Sequence, residues 1–197
     1  MEKIIFVLED AHFVSRKNKQ KKNTKASIKN NEDRINNRSD ITHQCLLSLL
    51  DSPLNKAGKL KIYIKTVQNV LIDVNSELRI PRSLNRFNGL MDELLKRMKI
   101  KSENGKILLK VIKNPVTEYL PPNIIKIGLS QHGKQLEKDK IIDKLENGYC
   151  FFVKAIPSGK DDFEFAEFLL KISDYSLSAS VTVSKICHLF EELLQIF

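Results

Sequence analysis

The sequence predicts an α/β fold in which helices flank a mainly parallel sheet. Two observations support this fold class. Short apolar runs bounded by polar or turn residues are typical of buried strands, and helical patterns separate several of these runs. The chain has 197 residues, of which 42% are hydrophobic. This content is enough to form one core, so we predict a single domain over residues 1–197.

The predicted strands are short and rich in β-branched residues. They lie at residues 3–8, 59–64, 69–74, 107–112, 124–130 and 150–156. Ligands of open parallel sheets bind beyond the carboxyl ends of the strands. The loops that follow Ile127, Val153 and Ile172 are therefore the expected position of a ligand site.

Helical patterns occupy several segments between the strands. Residues 40–51 carry apolar side chains around nearly the whole helix, which predicts a deeply buried helix, and Asp40 is suited to cap its N-terminus. Further helices are predicted at 82–98 and at about 135–146. The closing segment begins with Ser178, Ala179 and Ser180. Its apolar helical stripe comprises Ile186, Leu189, Phe190, Leu193, Leu194 and Phe197.

A basic segment separates the first strand from the first helix. Residues 15–39 are rich in lysine and asparagine, which predicts a mobile loop that is either simply solvated or in contact with an RNA backbone. The whole chain has a formal net charge of +9. Such a charge favours a polyanionic partner such as RNA, DNA or an anionic membrane, although a basic protein with no such partner is the alternative.

Several functional classes lack support in the sequence. Cys45, Cys150 and Cys187 are odd in number and far apart, so neither a disulfide framework nor a zinc site is indicated, and we expect reduced, buried thiols in an intracellular protein. No dinucleotide-binding or P-loop motif is present. The apolar runs are too short to span a membrane and the first residues lack the pattern of a signal peptide, so no membrane partner is expected.

The stretch RIPRSLNRFNGL places Arg79, Arg82 and Arg86 around the start of the predicted helix 82–98. Positive side chains at a helix N-terminus oppose the helix dipole, so this placement costs stability. A guanidinium group also binds two phosphate oxygens at once better than lysine does. The pattern therefore indicates a phosphate-bearing partner; the alternative is that these arginines are solvated or paired with Glu93.

A second pair of charged residues precedes the first helix. Arg38 and Asp40 are two positions apart in an extended lead-in, so their side chains share a side. The carboxylate of Asp40 can then cap the helix and orient Arg38 at the same time. Taken alone, a pair of this kind is structural more often than functional.

Several long segments, in this order, are similar to those of one known family. They occupy residues 38–64, 71–75, 79–91, 108–121 and 174–188. The chain resembles the Nep/Emg family of ribosome-biogenesis methyltransferases, which belongs to the SPOUT (α/β-knot) superfamily. The resemblance runs from about residue 3 to residue 197, and only the basic loop and residues 131–149 match poorly.

This resemblance implies a fold, an activity and partners. It implies a SPOUT domain with a C-terminal trefoil knot, and a homodimer. The implied activity is the transfer of a methyl group from S-adenosylmethionine to ring nitrogen 1 of a pseudouridine in small-subunit ribosomal RNA. It also implies a role in small-subunit assembly beside other assembly factors, in the nucleolus or nucleus, or in the cytoplasm for an archaeal source.

The resemblance also assigns roles to residues. The RNA-contacting positions map to Arg38, Asp40, Arg79, Arg82 and Arg86. Arg38 is the candidate catalytic group, stabilising negative charge on the uracil oxygens, with Asp40 as its orienter; Asp40 as a general base and proton loss to water are the alternatives. The cofactor-binding positions map to Leu129, Lys154, Gly159, Ile172, Ser173, Asp174, Tyr175, Ser176 and Leu177.

The sequence departs from the family pattern in the predicted cofactor site. Lys154 replaces a usual glycine, Ser176 a usual proline and Asp174 a usual asparagine. A lysine ammonium is unfavourable beside a sulfonium unless its side chain turns away. These departures make a second hypothesis relevant, in which the protein is a ribosomal RNA-binding assembly factor with weak or no catalysis.

Overall fold

The structure is a computed structural model that describes residues 4–13, 38–137, 139, 141, 145–157, 159 and 162–197. Its strands are β1 Ile4–Ala11, β2 Leu60–Thr66, β3 Leu71–Val74, β4 Lys99–Lys101, β5 Ile107–Ile112, β6 Ile125–Gln135, β7 Tyr149–Lys154 and β8 Phe168–Lys171. Its helices are α1 Ser39–Asp51, α2 Pro53–Lys56, α3 Leu84–Arg97 and α4 Ala179–Leu193. Two 3-10 turns lie at Val116–Tyr119 and Leu145–Asn147.

All the described strands form one sheet in the order β4-β5-β3-β2-β1-β7-β6-β8. Strands β2, β1, β7, β6 and β8 are parallel, and β3, β5 and β4 continue the sheet with antiparallel pairing. The predicted α/β class with a mainly parallel sheet is therefore confirmed. The carboxyl ends of the five parallel strands meet at one edge, which is where such sheets hold ligands.

The central strand β1 is buried on both faces. Its alternate residues belong to two separate cores, with Phe6 on the side of the helices and Val7 on the opposite side. The helical side packs residues of α1, α2, α3 and α4 against the sheet. On the opposite side, Val116 and Ile124 pack together with Phe163. This double burial explains why β1 reads as an unbroken apolar run.

Helices α1 and α4 pack against each other above the parallel strands. Buried residues of α1 include Cys45, Leu46 and Leu49, so the deeply buried helix predicted at 40–51 is confirmed. In α4, Phe190 is fully buried and its ring lies 5.6 Å from that of Tyr149 and 5.7 Å from that of Phe151. These contacts fix the N-terminal ends of both helices near the same edge of the sheet.

The structure differs from several sequence-based expectations. Strand β6 continues to Gln135, the position at which the predicted helix 135–146 should begin. Residues 138, 140 and 142–144 of that predicted helix lie outside the described residues. Strands β4 and β8 were not predicted, because short edge strands with exposed faces give a weak pattern. Phe197 is fully exposed because α4 ends at Leu193.

Gly133 explains how the long strand β6 can lie against β8. A Cβ atom at this position would come within 2.6 Å of backbone atoms of Leu169 and Leu170. Only glycine permits this approach without moving the neighbouring strand. Gly133 lies within the stretch from Leu129 to Lys134 in which the register of β6 against β8 shifts.

Two further expectations are not tested by the fold. Residues 14–37, which hold nearly all of the predicted mobile loop, lie outside the described residues. The trefoil knot also stays a prediction. Within the part of the chain that the structure describes, no helix has both the length and the apolar character needed to cross a membrane.

The aromatic contacts of α4 give a test of the core. Phe190→Ala is expected to lower the free energy of unfolding by about 3–5 kcal/mol, because it removes a fully buried ring and leaves a cavity between α4 and β7. Chemical denaturation followed by circular dichroism measures this change. The matched control is Phe197→Ala, which removes an exposed ring and is expected to change the free energy by less than about 0.5 kcal/mol. Equal effects of the two substitutions would contradict the packing.

Candidate functional site

A cavity lies beside the middle of β6, at residues 129–131, and at the carboxyl ends of β7 and β8. Its volume is about 190 Å³. It is lined by eight of the nine predicted cofactor-binding residues, namely Leu129, Lys154, Gly159, Ile172, Ser173, Tyr175, Ser176 and Leu177. We call it the loop cavity. The structure thus brings together residues that are up to 48 positions apart in the sequence, in the place expected from the strand ends.

The ninth predicted residue, Asp174, does not line the loop cavity. Its carboxylate accepts a hydrogen bond from Lys171 Nζ at 2.6 Å, and its side chain is 80% exposed. The hydroxyl of Ser173 accepts a hydrogen bond from the backbone N–H of Tyr175 at 3.1 Å, which tightens the turn. The Tyr175 side chain itself is largely exposed. The loop therefore lines the cavity with two serines as well as the larger residues Ile172, Tyr175 and Leu177.

A second cavity, of about 360 Å³, adjoins the first. We call it the arginine cavity, because Arg38 lines it together with Ile41 and Gln44 of α1. The two cavities share the wall residues Leu129, Lys154, Ile156, Pro157, Leu177 and Thr182. A molecule held by the loop cavity would therefore meet a molecule held beside Arg38.

Two helix N-termini border the arginine cavity. Helix α1 follows Arg38, and α4 follows Ser178, whose hydroxyl accepts a hydrogen bond from the backbone N–H of Val181 at 3.4 Å. Ser178, Ala179 and Ser180 line the cavity and open α4, as predicted. The free N–H groups of a helix start favour negative charge, and the guanidinium group of Arg38 adds to this effect. The arginine cavity is thus suited to an anionic or electron-rich ligand.

Arg38 and Asp40 form a bidentate ion pair. Arg38 Nε and Nη2 each donate to one carboxylate oxygen of Asp40, both at 2.8 Å. The hydrogen bonds from Arg38 hold the pKa of Asp40 below its ordinary value. The predicted orienting role of Asp40 therefore has a geometric basis. The predicted N-cap is wrong, since α1 begins at Ser39 with Arg38 as its N-cap, and Asp40 lies in the first turn.

Lys154 turns its ammonium group away from the cavities. Lys154 Nζ lies 2.8 Å from Asp10 Oδ2 and 3.2 Å from Glu9 Oε2, and 5.1 Å from the centre of the Phe163 ring. Burial lowers the pKa of Lys154, but the two carboxylates outweigh it and raise the pKa overall. The lysine is therefore charged and neutralised locally, which resolves the conflict expected between its cation and a sulfonium.

The predicted arginine segment lies along the other end of α1. Arg82 pairs with Asp51 at 2.6 Å, at the C-terminal end of this helix, about 20 Å from Arg38 along the helix axis. Arg79 and Arg86 are exposed, and neither forms an ion pair with any residue in the described ranges. The alternative pairing with Glu93 is not observed, since Glu93 pairs with Arg97. None of the three arginines lines either cavity.

A histidine connects α1 to the arginine segment. His43 is 5% exposed, its Nε2 lies 2.7 Å from the carbonyl oxygen of Pro81, and its ring stacks on Phe87 with a centroid distance of 4.7 Å. Because Pro81 lies between Arg79 and Arg82, this contact fixes the segment that carries both arginines. Sequence analysis did not single out His43, since one histidine in an apolar pattern gives no distinctive signal.

The three cysteines are buried and unpaired, as predicted. Burial raises the pKa of Cys45 and that of Cys187 to about 12, so both are thiols at neutral pH. Among the described residues, no group of three or more histidine, cysteine or acidic side chains is arranged to hold a metal ion.

Other residues near the two cavities were not identified from the sequence. Glu9 and Asp10, which hold the ammonium group of Lys154, line neither cavity, but they follow a central parallel strand at the ligand-binding edge. Gln44, Thr182 and Pro157 were missed because their positions in a cavity depend on the packing of α1 and on loops that have no periodic pattern.

The fold and the cavities define a class of protein. It is an open α/β sheet with adjoining cavities beyond the carboxyl ends of its parallel strands, one formed by loops and one bordered by an arginine. Comparison with solved structures supports this class. The crystal structure of Nep1 from Archaeoglobus fulgidus, bound to S-adenosylhomocysteine, aligns with 99% of this chain and 100% of its own, with a TM-score of 0.78 and 21% identity.

Sequence comparison is more specific. The profile of the EMG1/NEP1 methyltransferase family matches residues 9–191, and the chain belongs to this family. It is 50% identical over 165 residues to the ribosomal RNA small subunit methyltransferase NEP1 of Candida albicans, and 51% identical over 164 residues to mra1 of Schizosaccharomyces pombe, which has the same description. Each match covers 81% of this chain but only 62% and 46% of the two relatives, so the chain spans about half to two thirds of their length.

The ion pair of Arg38 and Asp40 predicts a specific titration. Asp40 is expected to titrate below the ordinary aspartate pKa, and Arg38→Gln is expected to raise its pKa towards that value. A carboxylate whose pKa is lower in the folded protein than in the unfolded chain stabilises the fold. This stabilisation is fully present above the pKa of the unfolded chain and is lost as the pH falls through the pKa of the folded protein. At neutral pH, Arg38→Gln should lower the free energy of unfolding by only about 0.5–1 kcal/mol, because the ion pair is partly exposed.

The titration is followed by NMR of the aspartate carboxyl carbons. Arg97→Gln serves as the control, since Arg97 pairs with Glu93 on the exposed side of α3. An Asp40 titration that is the same in wild type and in Arg38→Gln would show that the ion pair does not set this pKa.

Proposed function

We propose that this chain is an S-adenosylmethionine-dependent methyltransferase that acts on ring nitrogen 1 of a pseudouridine in small-subunit ribosomal RNA. The observation that carries the proposal is the shared wall between the loop cavity and the arginine cavity. The names of the relatives support methylation of small-subunit ribosomal RNA. The Archaeoglobus fulgidus Nep1, which binds S-adenosylhomocysteine, has the same fold and supports the choice of cofactor.

The residues of the loop cavity fit the cofactor. Leu129, Ile156 and Leu177 offer apolar surface for an adenine ring, and the loop between Ile172 and Leu177 offers backbone polar groups to read its edge. A Cβ atom at Gly159 would lie 2.4 Å from Ile156 Cδ1, so glycine keeps this part of the wall open. When bound, the cofactor supplies a methyl group that its sulfonium already activates.

The chain's own residues have three tasks in the proposed reaction. Nitrogen 1 forms a bond to the methyl carbon as the carbon–sulfur bond breaks, its electron pair goes to sulfur, and the N–H proton is lost. The shared wall brings the two reactants to near contact. Arg38 stabilises the negative charge that spreads onto the uracil oxygens, and Asp40 fixes the position of Arg38. The lowered pKa makes Asp40 a poor base, so the proton is transferred to water.

The arginine segment is proposed to bind the RNA backbone. Arg79 and Arg86 are exposed, and the pair of Arg82 with Asp51 is so exposed that it contributes little to stability. These side chains are therefore free to exchange water or a carboxylate for phosphate oxygens. Their contacts would offset the few kcal/mol, roughly, that turning a base out of its stack costs.

Family membership supports further parts of the proposal. We propose a homodimer with a knotted C-terminal segment, a role in small-subunit biogenesis alongside assembly factors, and a nucleolar or nuclear location. Separate copies of the chain would then place the arginine segment of one subunit and the cavities of the other within reach of one RNA. The long separation between Arg82 and Arg38 within one chain is the reason to test this arrangement.

The direct test is a methyl transfer assay. We expect transfer of label from S-adenosylmethionine to an RNA hairpin that contains pseudouridine, and none to the same hairpin with uridine, whose ring has no N–H at the equivalent position. Isothermal calorimetry measures cofactor binding in parallel. If neither transfer nor binding occurs at millimolar cofactor while RNA binds, the protein is an assembly factor without catalysis and the proposal is wrong.

Arg86→Ala and Arg82→Ala are expected to weaken RNA binding several-fold. Each is also expected to reduce the slope of log affinity against log salt by roughly 0.7, because one phosphate contact to single-stranded RNA is lost. Fluorescence anisotropy at several salt concentrations measures both quantities. Lys101→Ala, which removes one exposed charge from β4, is the matched control. Slopes that match the control in all variants would exclude a phosphate role for these arginines.

Arg38→Ala is expected to separate chemistry from binding. The rate constant of methyl transfer should fall about 10²–10³-fold, as is typical when a group that stabilises developing negative charge is removed. The RNA dissociation constant should change by less than about threefold, since a single contact to the base is lost. Single-turnover kinetics and anisotropy measure the two values. Equal losses in both would assign Arg38 to binding alone.

A further inference from the structure

The lysine at the shared wall is held by an unusual arrangement of two carboxylates. Lys154 lines both the loop cavity and the arginine cavity, and its ammonium group contacts Asp10 at 2.8 Å and Glu9 at 3.2 Å. Glu9 and Asp10 are consecutive residues at the end of β1. Side chains of consecutive strand residues ordinarily point to opposite faces of the sheet, so two neighbours should not reach one lysine.

A local irregularity of β1 makes this convergence possible. The register of β1 against β2 shifts between Leu8 and Ala11, and Asp10 has a positive φ of 56°. This backbone conformation is uncommon for residues other than glycine, although aspartate and asparagine adopt it more readily than most. On the other side, Glu9 stays in register with Lys154 of β7, and its carbonyl oxygen accepts from the N–H of Ala155 at 2.8 Å. The bulge therefore turns Asp10 towards a lysine that Glu9 already faces.

Glu9 and Lys154 are shielded from solvent, whereas Asp10 is partly exposed. The side chains of Glu9 and Lys154 are 4% and 18% exposed, and that of Asp10 is 39% exposed. Burial raises the pKa of Glu9, although Lys154 opposes this effect. The charges of Glu9 and Lys154 are screened less by salt and water than surface charges are, whereas the charge of Asp10 is partly screened. The net charge of this cluster therefore acts on any charged group that binds at the wall formed by Lys154.

Carboxylates outnumber cations around Lys154. Beyond Glu9 and Asp10, a small charged cavity behind the wall contains Asp162 and the pair of Lys65 with Glu164, whose atoms are 3.0 Å apart. The described groups around the lysine ammonium thus give an excess of negative charge on the far side of the wall that Lys154 forms.

We propose that Asp10 and Glu9 set the charge of the wall at Lys154 so that the pocket prefers the sulfonium of the substrate cofactor to the neutral thioether of its product. The inference rests on the proposed function, because it assigns the loop cavity to S-adenosylmethionine. The two molecules share the adenosine and amino acid parts and differ by one methyl group and one positive charge. A local excess of negative charge distinguishes them, and it favours release of the product after transfer.

The test compares the affinities of the two molecules by isothermal calorimetry. Asp10→Asn removes one negative charge and keeps the shape, and asparagine adopts a positive φ at least as readily. We expect this variant to bind S-adenosylmethionine roughly 3–10-fold more weakly at low salt, with S-adenosylhomocysteine affinity changed less than about twofold. The difference between the two should shrink as salt is added.

Two further variants complete the test. Glu77→Gln is the matched control, because it removes one carboxylate from an exposed pair with Lys106 that lines neither cavity. It is expected to leave both affinities unchanged. Lys154→Met removes the cation from the wall, and the preference for S-adenosylmethionine should be kept or increased. Melting temperatures without ligand verify that each variant is folded, and Lys154→Met provides the test if Asp10→Asn does not fold.

The outcomes separate the two proposals. Suppose that the wild type binds both molecules, and that Asp10→Asn lowers the two affinities equally or changes neither. The carboxylates then only stabilise the fold, so the inference is wrong while the proposed function stands. A fall in the preference for S-adenosylmethionine in Lys154→Met would overturn the inference as well. If the wild type binds neither molecule, both the inference and the proposed function fail.

Discussion

The parallel pairing of β1 with β2 on one side and β7 on the other is the constraint on which the rest of the structure depends. Burial of this central strand on both faces fixes its register, because a shift of one residue would exchange the two cores. The same register sets Glu9 opposite Lys154 and aligns the ends of the parallel strands. The cavities therefore lie where they do because the core permits only one arrangement of its central strand.

The helices on one face of the sheet determine the position of the arginine cavity. Packing of α1 against α4 directs both N-terminal ends to the edge where the strands finish, so that Arg38 and Ser178 border one space. The aromatic contacts of Phe190 stabilise this packing from within the core. The catalytic hypothesis for Arg38 thus depends on residues that never contact a ligand.

Electrostatics divides the molecule into two functional regions. Around Lys154, two carboxylates face one ammonium group in a largely buried cluster, so the local excess of charge is negative. Along the loop before α3, exposed arginines give a positive surface whose charges are screened by salt. The proposed cationic cofactor and the proposed anionic RNA need opposite local potentials, and the chain provides both although its overall net charge is +9. Net charge alone indicates only the second of these partners.

The sequence by itself determined the fold class, most of the elements and most of the loop cavity. Buried runs such as IIFVL can be recognised because double burial leaves no polar alternation, and the ligand edge follows from the ends of these strands. Eight predicted cofactor positions line one cavity. The predicted proximity of Arg38 and Asp40 is also observed, although Asp40 lies in the first turn of α1 and not in an extended lead-in. These features depend on local patterns or on long, ordered family motifs.

Only the tertiary structure decided how the side chains at the site are partnered. Lys154 alone suggests repulsion of a cationic cofactor. The structure shows that its charge is neutralised by Asp10, which a bulge more than 140 residues earlier in the chain turns towards it. The partner of Arg82 is Asp51 at the end of α1, whereas Glu93 lies about three turns further along α3 and pairs with Arg97. Strand register, bulges and helix packing join residues distant in sequence, and no periodic pattern records which of them will meet.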